Sequence, residues 1–150
     1  MTKQSTLSQA IKIATDGHYG QFDRGGKPYI LHPMAVMHIL GSDDEELNAI
    51  AIMHDLVEDC PEWTIERLLL LGFSDRIIEA VDILSKFEGQ TYEEYKNEVF
   101  SNEDAMRVKL ADLTHNSDIN RLKGVRQKDL DRMKRYHEFY LEIKEKLHES

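Results

Sequence analysis

The stretch LNAIAIMHDLVED, Leu47 to Asp59, decides the fold and carries the first chemistry. Leu47, Ile50 and Ala51 recur at helical spacing, and His54 continues the same stripe. His54 therefore faces inward. A lone inward histidine reads first as a core residue with a satisfied hydrogen bond. Asp55 changes that, because a carboxylate beside an apolar stripe is costly to bury unless it is paired or bound to a metal. Imidazole and carboxylate from adjacent residues suit Mn²⁺, Fe or Zn²⁺ better than Ca²⁺ or Mg²⁺. Glu58 falls four residues after His54, and Asp59 four after Asp55, so spacing puts both pairs on neighbouring rows of one helical surface. They read either as a solvated helix end, stopped by Pro61, or as a carboxylate pair that handles a hydrolytic water.

The helical period extends outward from this segment. Leu7, Ala10, Ile11 and Ala14 form one stripe; Ile77, Val81 and Leu84 another; Met106, Leu110 and Leu113 a third. A last helix over about 126–148 carries Met133, Tyr136, Tyr140 and Leu147. Tyr136, Phe139 and Tyr140 read as core or as an oligomer contact. Ser42 with Glu45, Thr91 with Glu94, and Ser101 with Asp104 fit the capping-box pattern. Gly41, Gly72, Gly89 and Gly124 follow periodic stretches, where left-handed residues end helices. Gly17, Gly20, Gly25 and Gly26 read as one loop. No stretch alternates as a strand would. The expectation is an all-α bundle of about seven to eight helices, one domain over 1–150.

Two further candidates lie far off in sequence. His32 precedes Pro33 and reads as a loop histidine before a helix that starts with proline. Asp112 stands among Leu110, Ala111 and Leu113, with Asn116 one turn later. An inward Asp112 means either a buried salt bridge or a metal ligand, and spacing leaves both open. Glu58 and Asp59 would then face a site built from His32, His54, Asp55 and Asp112.

Composition limits the function. The chain has 150 residues, 41% hydrophobic and 31% charged, enough for a packed core. Its formal net charge of −9 argues against nucleic acid as partner, since that needs a basic face. A phosphorylated small molecule remains compatible, because a bound divalent cation supplies local positive charge. Cys60 is the single cysteine, so no disulfide can form within the chain. Neither an apolar leader nor a run long enough to span a membrane is present. The expected location is the cytoplasm, with no membrane partner.

Four blocks resemble a known family. They are His18-Tyr-Gly-Gln21, Gly26-Lys-Pro-Tyr-Ile-Leu-His32-Pro33, His54-Asp-Leu-Val-Glu-Asp59, and Lys109-Leu-Ala-Asp112 with His115-Asn116. Their order and separations over residues 18–121 resemble the HD-domain metal-dependent phosphohydrolases, and within them the hydrolase domain of the RelA/SpoT group and its small alarmone hydrolase relatives. The resemblance implies that His32, His54, Asp55 and Asp112 bind one Mn²⁺ and that Glu58 and Asp59 are the catalytic acidic pair. It implies that Asn116 contacts the ribose or phosphate of a nucleotide and that Tyr29 shapes the pocket. His18 and His115 take packing or supporting roles in that scheme. Members of this type remove pyrophosphate from the 3′ position of guanosine tetra- and pentaphosphate; a metazoan relative is associated with removing the ribose phosphate of NADPH.

The chain departs from the family pattern at two places. After Asp112 it has Leu113-Thr114 where the long bifunctional enzymes have Arg-Leu, with Asp118 adding negative charge near the expected phosphate end. It also differs in the loop before Pro28-Tyr29. Asp23 stands where the alarmone hydrolases usually carry an arginine that stacks on guanine, and Arg24 follows it. A guanidinium face stacks on a base and a carboxylate does not. Arg24 serves instead if the glycine-rich loop lets it swing in; otherwise it is an exposed loop charge. Lys96, Arg107, Lys109 and Arg121 are the candidate phosphate partners, with surface solvation the competing role. The leading expectation is a guanosine-3′,5′-bis(diphosphate) 3′-pyrophosphohydrolase. The alternatives are an HD-domain phosphohydrolase of another nucleotide (a 5′-nucleotide or NADPH) and a metal-retaining nucleotide-binding module with little turnover.

Overall fold

The computed structural model describes residues 6–149, and their regular structure is helical. In chain order the helices are α1 (Thr6–Gly17), α2 (Leu31–Leu40), α3 (Glu45–Met53), α4 (Leu56–Asp59), α5 (Ile65–Leu70), α6 (Asp75–Leu84), α7 (Tyr92–Phe100), α8 (Glu103–Asn116) and α9 (Gln127–Glu149). A 3₁₀ turn, Ile119–Arg121, joins α8 to the loop before α9. Apart from the one-turn α4, this makes eight helices among the described residues, in line with the all-α expectation. The nearest thing to a sheet is an isolated antiparallel bridge between Phe22 and Pro28, which closes the loop between α1 and α2.

Helix α3 is the axis of the molecule. Leu47, Ala49, Ile50, Ala51, Ile52 and Met53 are all buried, so the helix is apolar on every side. A helix of that kind must be surrounded, and α1, α2, α6 and α8 pack against it. Each fully buried Leu or Ile contributes about 1.5–3 kcal/mol relative to exposure. Helix α9 lies across α8 and α7 and inserts Phe139 and Ile143. Tyr136 and Tyr140 pack partly buried against that core. No helix among the described residues is long and apolar enough to cross a membrane.

The helix starts show which local signals win. Thr91 and Glu94 form a reciprocal capping box at α7. At α3 the cap is Asp44, whose carboxylate accepts the Leu47 amide, and Ser42 accepts the Asp44 amide instead. At α8 the cap is Asn102, bonded to the Ala105 amide, while the Ser101 hydroxyl donates back to the Glu98 carbonyl. In both places an equally good capping residue stands closer to the first turn than the expected serine. Gly41 closes α2 in the left-handed region at φ 61°. Gly17 belongs to α1 rather than to the following loop, and Gly89 and Gly124 lie in connections beyond helix ends.

Candidate metal centre and adjoining cavity

His54 and Asp55 sit where the buried axis breaks. Helix α3 stops at Met53 and α4 starts at Leu56, so residues 54–59 do not continue one helix as the spacing predicted. The His54 ring contributes to the break: its Nδ1 donates to the Ala51 carbonyl at 2.6 Å. That bond uses Nδ1 and directs Nε2 at Asp55 Oδ2 (3.1 Å) and Asp112 Oδ1 (3.2 Å). His32 arrives from the first turn of α2, not from a loop, and its Nε2 lies 2.8 Å from Asp112 Oδ1 and 3.6 Å from Asp55 Oδ2. Pro33 follows it inside that first turn, where the missing amide proton costs nothing. Asp112 comes from the buried face of α8.

One donor atom from each of His32, His54, Asp55 and Asp112 lies within 4.8 Å of the other three. Two imidazole nitrogens and two carboxylates make a donor set that fits a divalent transition metal. Neighbours hold the carboxylates. The Tyr29 hydroxyl donates to Asp55 at 2.7 Å. Lys109 Nζ donates to Asp112 Oδ2 at 2.9 Å, and Asn116 Nδ2 to Asp112 Oδ1 at 3.1 Å. Burial opposes the charge on Asp112, but the Lys109 ammonium and the two imidazoles outweigh it and hold the carboxyl well below the usual range. Burial and the Asp55 carboxylate push the Tyr29 hydroxyl well up, so it stays a donor.

A cavity of about 460 Å³ opens beside the cluster, and Asp55, Glu58, Asp59 and Asp112 line its floor. Glu58 Oε1 accepts the backbone amide of Lys86 at 2.7 Å, which ties the acid to the loop after α6. Asp59 is accessible from the cavity, yet the surrounding walls thin the solvent about it. That desolvation, with the Asp55 and Glu58 charges, raises its carboxyl to about 7. Five cationic side chains, Arg24, Lys86, Lys109, Arg121 and Arg132, line the same space.

No family model matches the chain. Individual relatives do. The chain is 38% identical over 122 residues to the bifunctional (p)ppGpp synthase/hydrolase SpoT of Escherichia coli (strain K12), a match covering 73% of this chain and 17% of that protein. It is 37% identical over 117 residues to the guanosine-3′,5′-bis(diphosphate) 3′-pyrophosphohydrolase of Haemophilus influenzae, covering 69% and 17%. A solved structure described as a metazoan ortholog of SpoT that hydrolyzes ppGpp shares the fold at a TM-score of 0.76 and 21% identity, over 95% of this chain and 87% of that one. This chain is RelA/SpoT-hydrolase-like. It spans only 17% of the length of the two curated relatives.

In this RelA/SpoT-like chain the remaining sequence candidates separate clearly. Lys109, Asn116, Tyr29 and Arg24 all reach the cavity, Arg24 as an exposed side chain. Lys96 and Arg107 do not line it; Lys96 bridges α7 to Glu142 of α9, and Arg107 pairs with Glu103 along α8. Asp23 accepts the Lys27 amide and pairs with Arg121 at 3.5 Å, so it is a loop brace. Arg121 also donates to Asn116 Oδ1 and to the His115 carbonyl, both at 3.1 Å. Sequence reasoning missed Lys86 and Arg132. Neither belongs to a motif, and only the folding of the loop after α6 and of α9 toward the cavity brings them in. It also gave Gln21 no role. Gln21 accepts from His18 Nδ1 at 2.8 Å and donates to the Asp59 carbonyl at 3.1 Å, anchoring the acidic pair from below.

Proposed function

We propose that this chain is a phosphohydrolase that holds Mn²⁺ with His32, His54, Asp55 and Asp112 and removes the 3′-pyrophosphate of guanosine-3′,5′-bis(diphosphate). The observation that carries the reading is that two of the four clustered donors, Asp55 and Asp112, line the same cavity as the Glu58–Asp59 pair and a set of cations. The names of the relatives from E. coli and H. influenzae point the same way.

When bound, the cation draws charge from phosphoryl oxygens and makes nearby solvent more acidic. The chain's own side chains supply the rest. Tyr29, Lys109 and Asn116 orient the ligand carboxylates. Lys86, Arg121 and Arg132 offer positive charge to the phosphates, and phosphoryl transfer asks mainly for such positioning and charge. Water adds to the phosphorus nearest the ribose, the bond from that phosphorus to O3′ breaks, and O3′ takes a proton. Asp59 lines the cavity beside Asp55, which makes it the proton-handling member of the pair. Glu58, pinned by the Lys86 amide, faces the reacting water.

The test is direct. Purified protein with Mn²⁺ should release pyrophosphate from ppGpp, and the double variant Glu58→Gln, Asp59→Asn should not. Full activity in that variant removes the catalytic assignment. A second reading has its own support: Asp23 is engaged with Arg121 and offers no stacking surface for guanine. Turnover of another phosphorylated nucleotide, such as a 5′-nucleotide or NADPH, with ppGpp untouched, would select it.

A further inference from the structure

His32 meets the cluster with Nε2 and turns Nδ1 outward, to within 2.7 Å of His115 Nδ1. The two ring planes lie 18° apart with centroids 5.0 Å apart. That separation belongs to imidazoles meeting edge to edge through one nitrogen each, not to rings stacked face on face. Of two nitrogens so close, one must donate and the other accept. A nitrogen that coordinates a metal has no proton, so a neutral His32 that coordinates through Nε2 has its proton on Nδ1. His115 Nδ1 must then be the acceptor, and its own proton sits on Nε2. We infer that His115 is a positioning residue that locks His32 in the tautomer and orientation needed for coordination. The inference rests on the reading of the four-residue cluster as a metal site.

The chain backs its two ligand imidazoles differently. His54 donates Nδ1 to a backbone carbonyl, that of Ala51, which no substitution removes. His32 depends on a side chain. Helix α8 supplies it three residues after Asp112, so one helix face provides both a ligand and the support for a second ligand. Outer partners of this kind typically change metal affinity by about 10–100-fold when removed.

Two substitutions test it. His115→Phe keeps a flat ring and loses the acceptor; His115→Asn places a carbonyl oxygen near the position of Nδ1. Mn²⁺ affinity is measured from the electron paramagnetic resonance signal of free Mn²⁺, and folding from thermal melts of the metal-free proteins. Histidine tautomers are read by ¹⁵N NMR of the wild type loaded with Zn²⁺. Expected are a loss of roughly 10–100-fold in Mn²⁺ affinity for His115→Phe, recovery of most of that loss in His115→Asn, similar metal-free melts, and an Nε2-protonated His115. Unchanged affinity in His115→Phe, an equal loss in both variants, or a His115 protonated at Nδ1 overturns the inference and leaves the metal site standing. A wild type that takes up neither Mn²⁺ nor Zn²⁺ overturns the metal reading and this inference with it. If His115→Phe fails to fold, the tautomer measurement on the wild type still decides.

Discussion

Asp59 and Glu58 are neighbours in the chain with different surroundings. Glu58 is fixed by a backbone amide, whereas Asp59 faces the carboxylates of Asp55 and Glu58 across poorly solvated space, with His54 and the Tyr29 hydroxyl pulling the other way. Its carboxyl rises from 3.8 to about 7. Between those values the metal-free folded protein holds a proton that the unfolded chain has lost. The associated stability is complete below the unfolded value and disappears as pH rises through the folded one. An asparagine cannot titrate. Asp59→Asn should therefore gain stability relative to wild type on going from about pH 4.5 to about pH 7.5. Urea denaturation with chelator present measures it, and parallel behaviour of the two proteins would contradict the shift. At this scale the sequence displayed His54 and Asp55 because a carboxylate interrupted an apolar stripe. It hid Lys86 and Gln21, whose roles come from contacts across 28 and 38 residues that no local period encodes.

Helix stripes were readable because burial imposes a period; where elements begin was less so. Serine, aspartate and asparagine cap almost equally well, so a cluster such as Ser42-Asp43-Asp44 does not announce which residue is used. The break between α3 and α4 was invisible for a similar reason: His54 and Asp55 keep the helical spacing in sequence while the His54 ring takes a backbone carbonyl. The loop between α1 and α2 and the 3₁₀ turn give a test of how elements hold the cavity. Gly25 lies against the carbonyl of Arg121, and a methyl group there would meet backbone, not a yielding side chain. Gly25→Ala should push the loop from the turn, lower stability by about 1–3 kcal/mol, and displace Arg121 from Asp23 and Asn116. Urea denaturation gives the first effect. Loss of the second shows as weaker phosphate-ligand binding, measured by calorimetry, at unchanged Mn²⁺ affinity. A variant as stable as wild type would mean the two segments are not in close contact.

For the whole molecule, a metal held by the cluster would couple its binding to folding. A ligand that binds only the folded state adds about 2.7 kcal/mol at a hundred times its dissociation constant. For a chain of this size that corresponds to a rise of roughly 5–11 °C in melting temperature. Mn²⁺ should raise the melting temperature by that order, chelator should reverse the rise, and His54→Ala should abolish the response to metal. A wild type indifferent to Mn²⁺ would count against the site. The all-α architecture was legible from the sequence since the apolar period never changes, but the convergence of the four blocks was not a matter of period at all; the order of motifs suggested it, and packing of α2 and α8 against α3 brings it about. That packing governs when the site can exist. His32 and Asp112 touch across 80 residues of chain. On a ribosome, the first three donors would emerge well before the fourth, and the complete chelate would have to wait until α8 had left the exit tunnel and docked. Cation capture would thus follow the docking of α8, closing the largest loop in the site last.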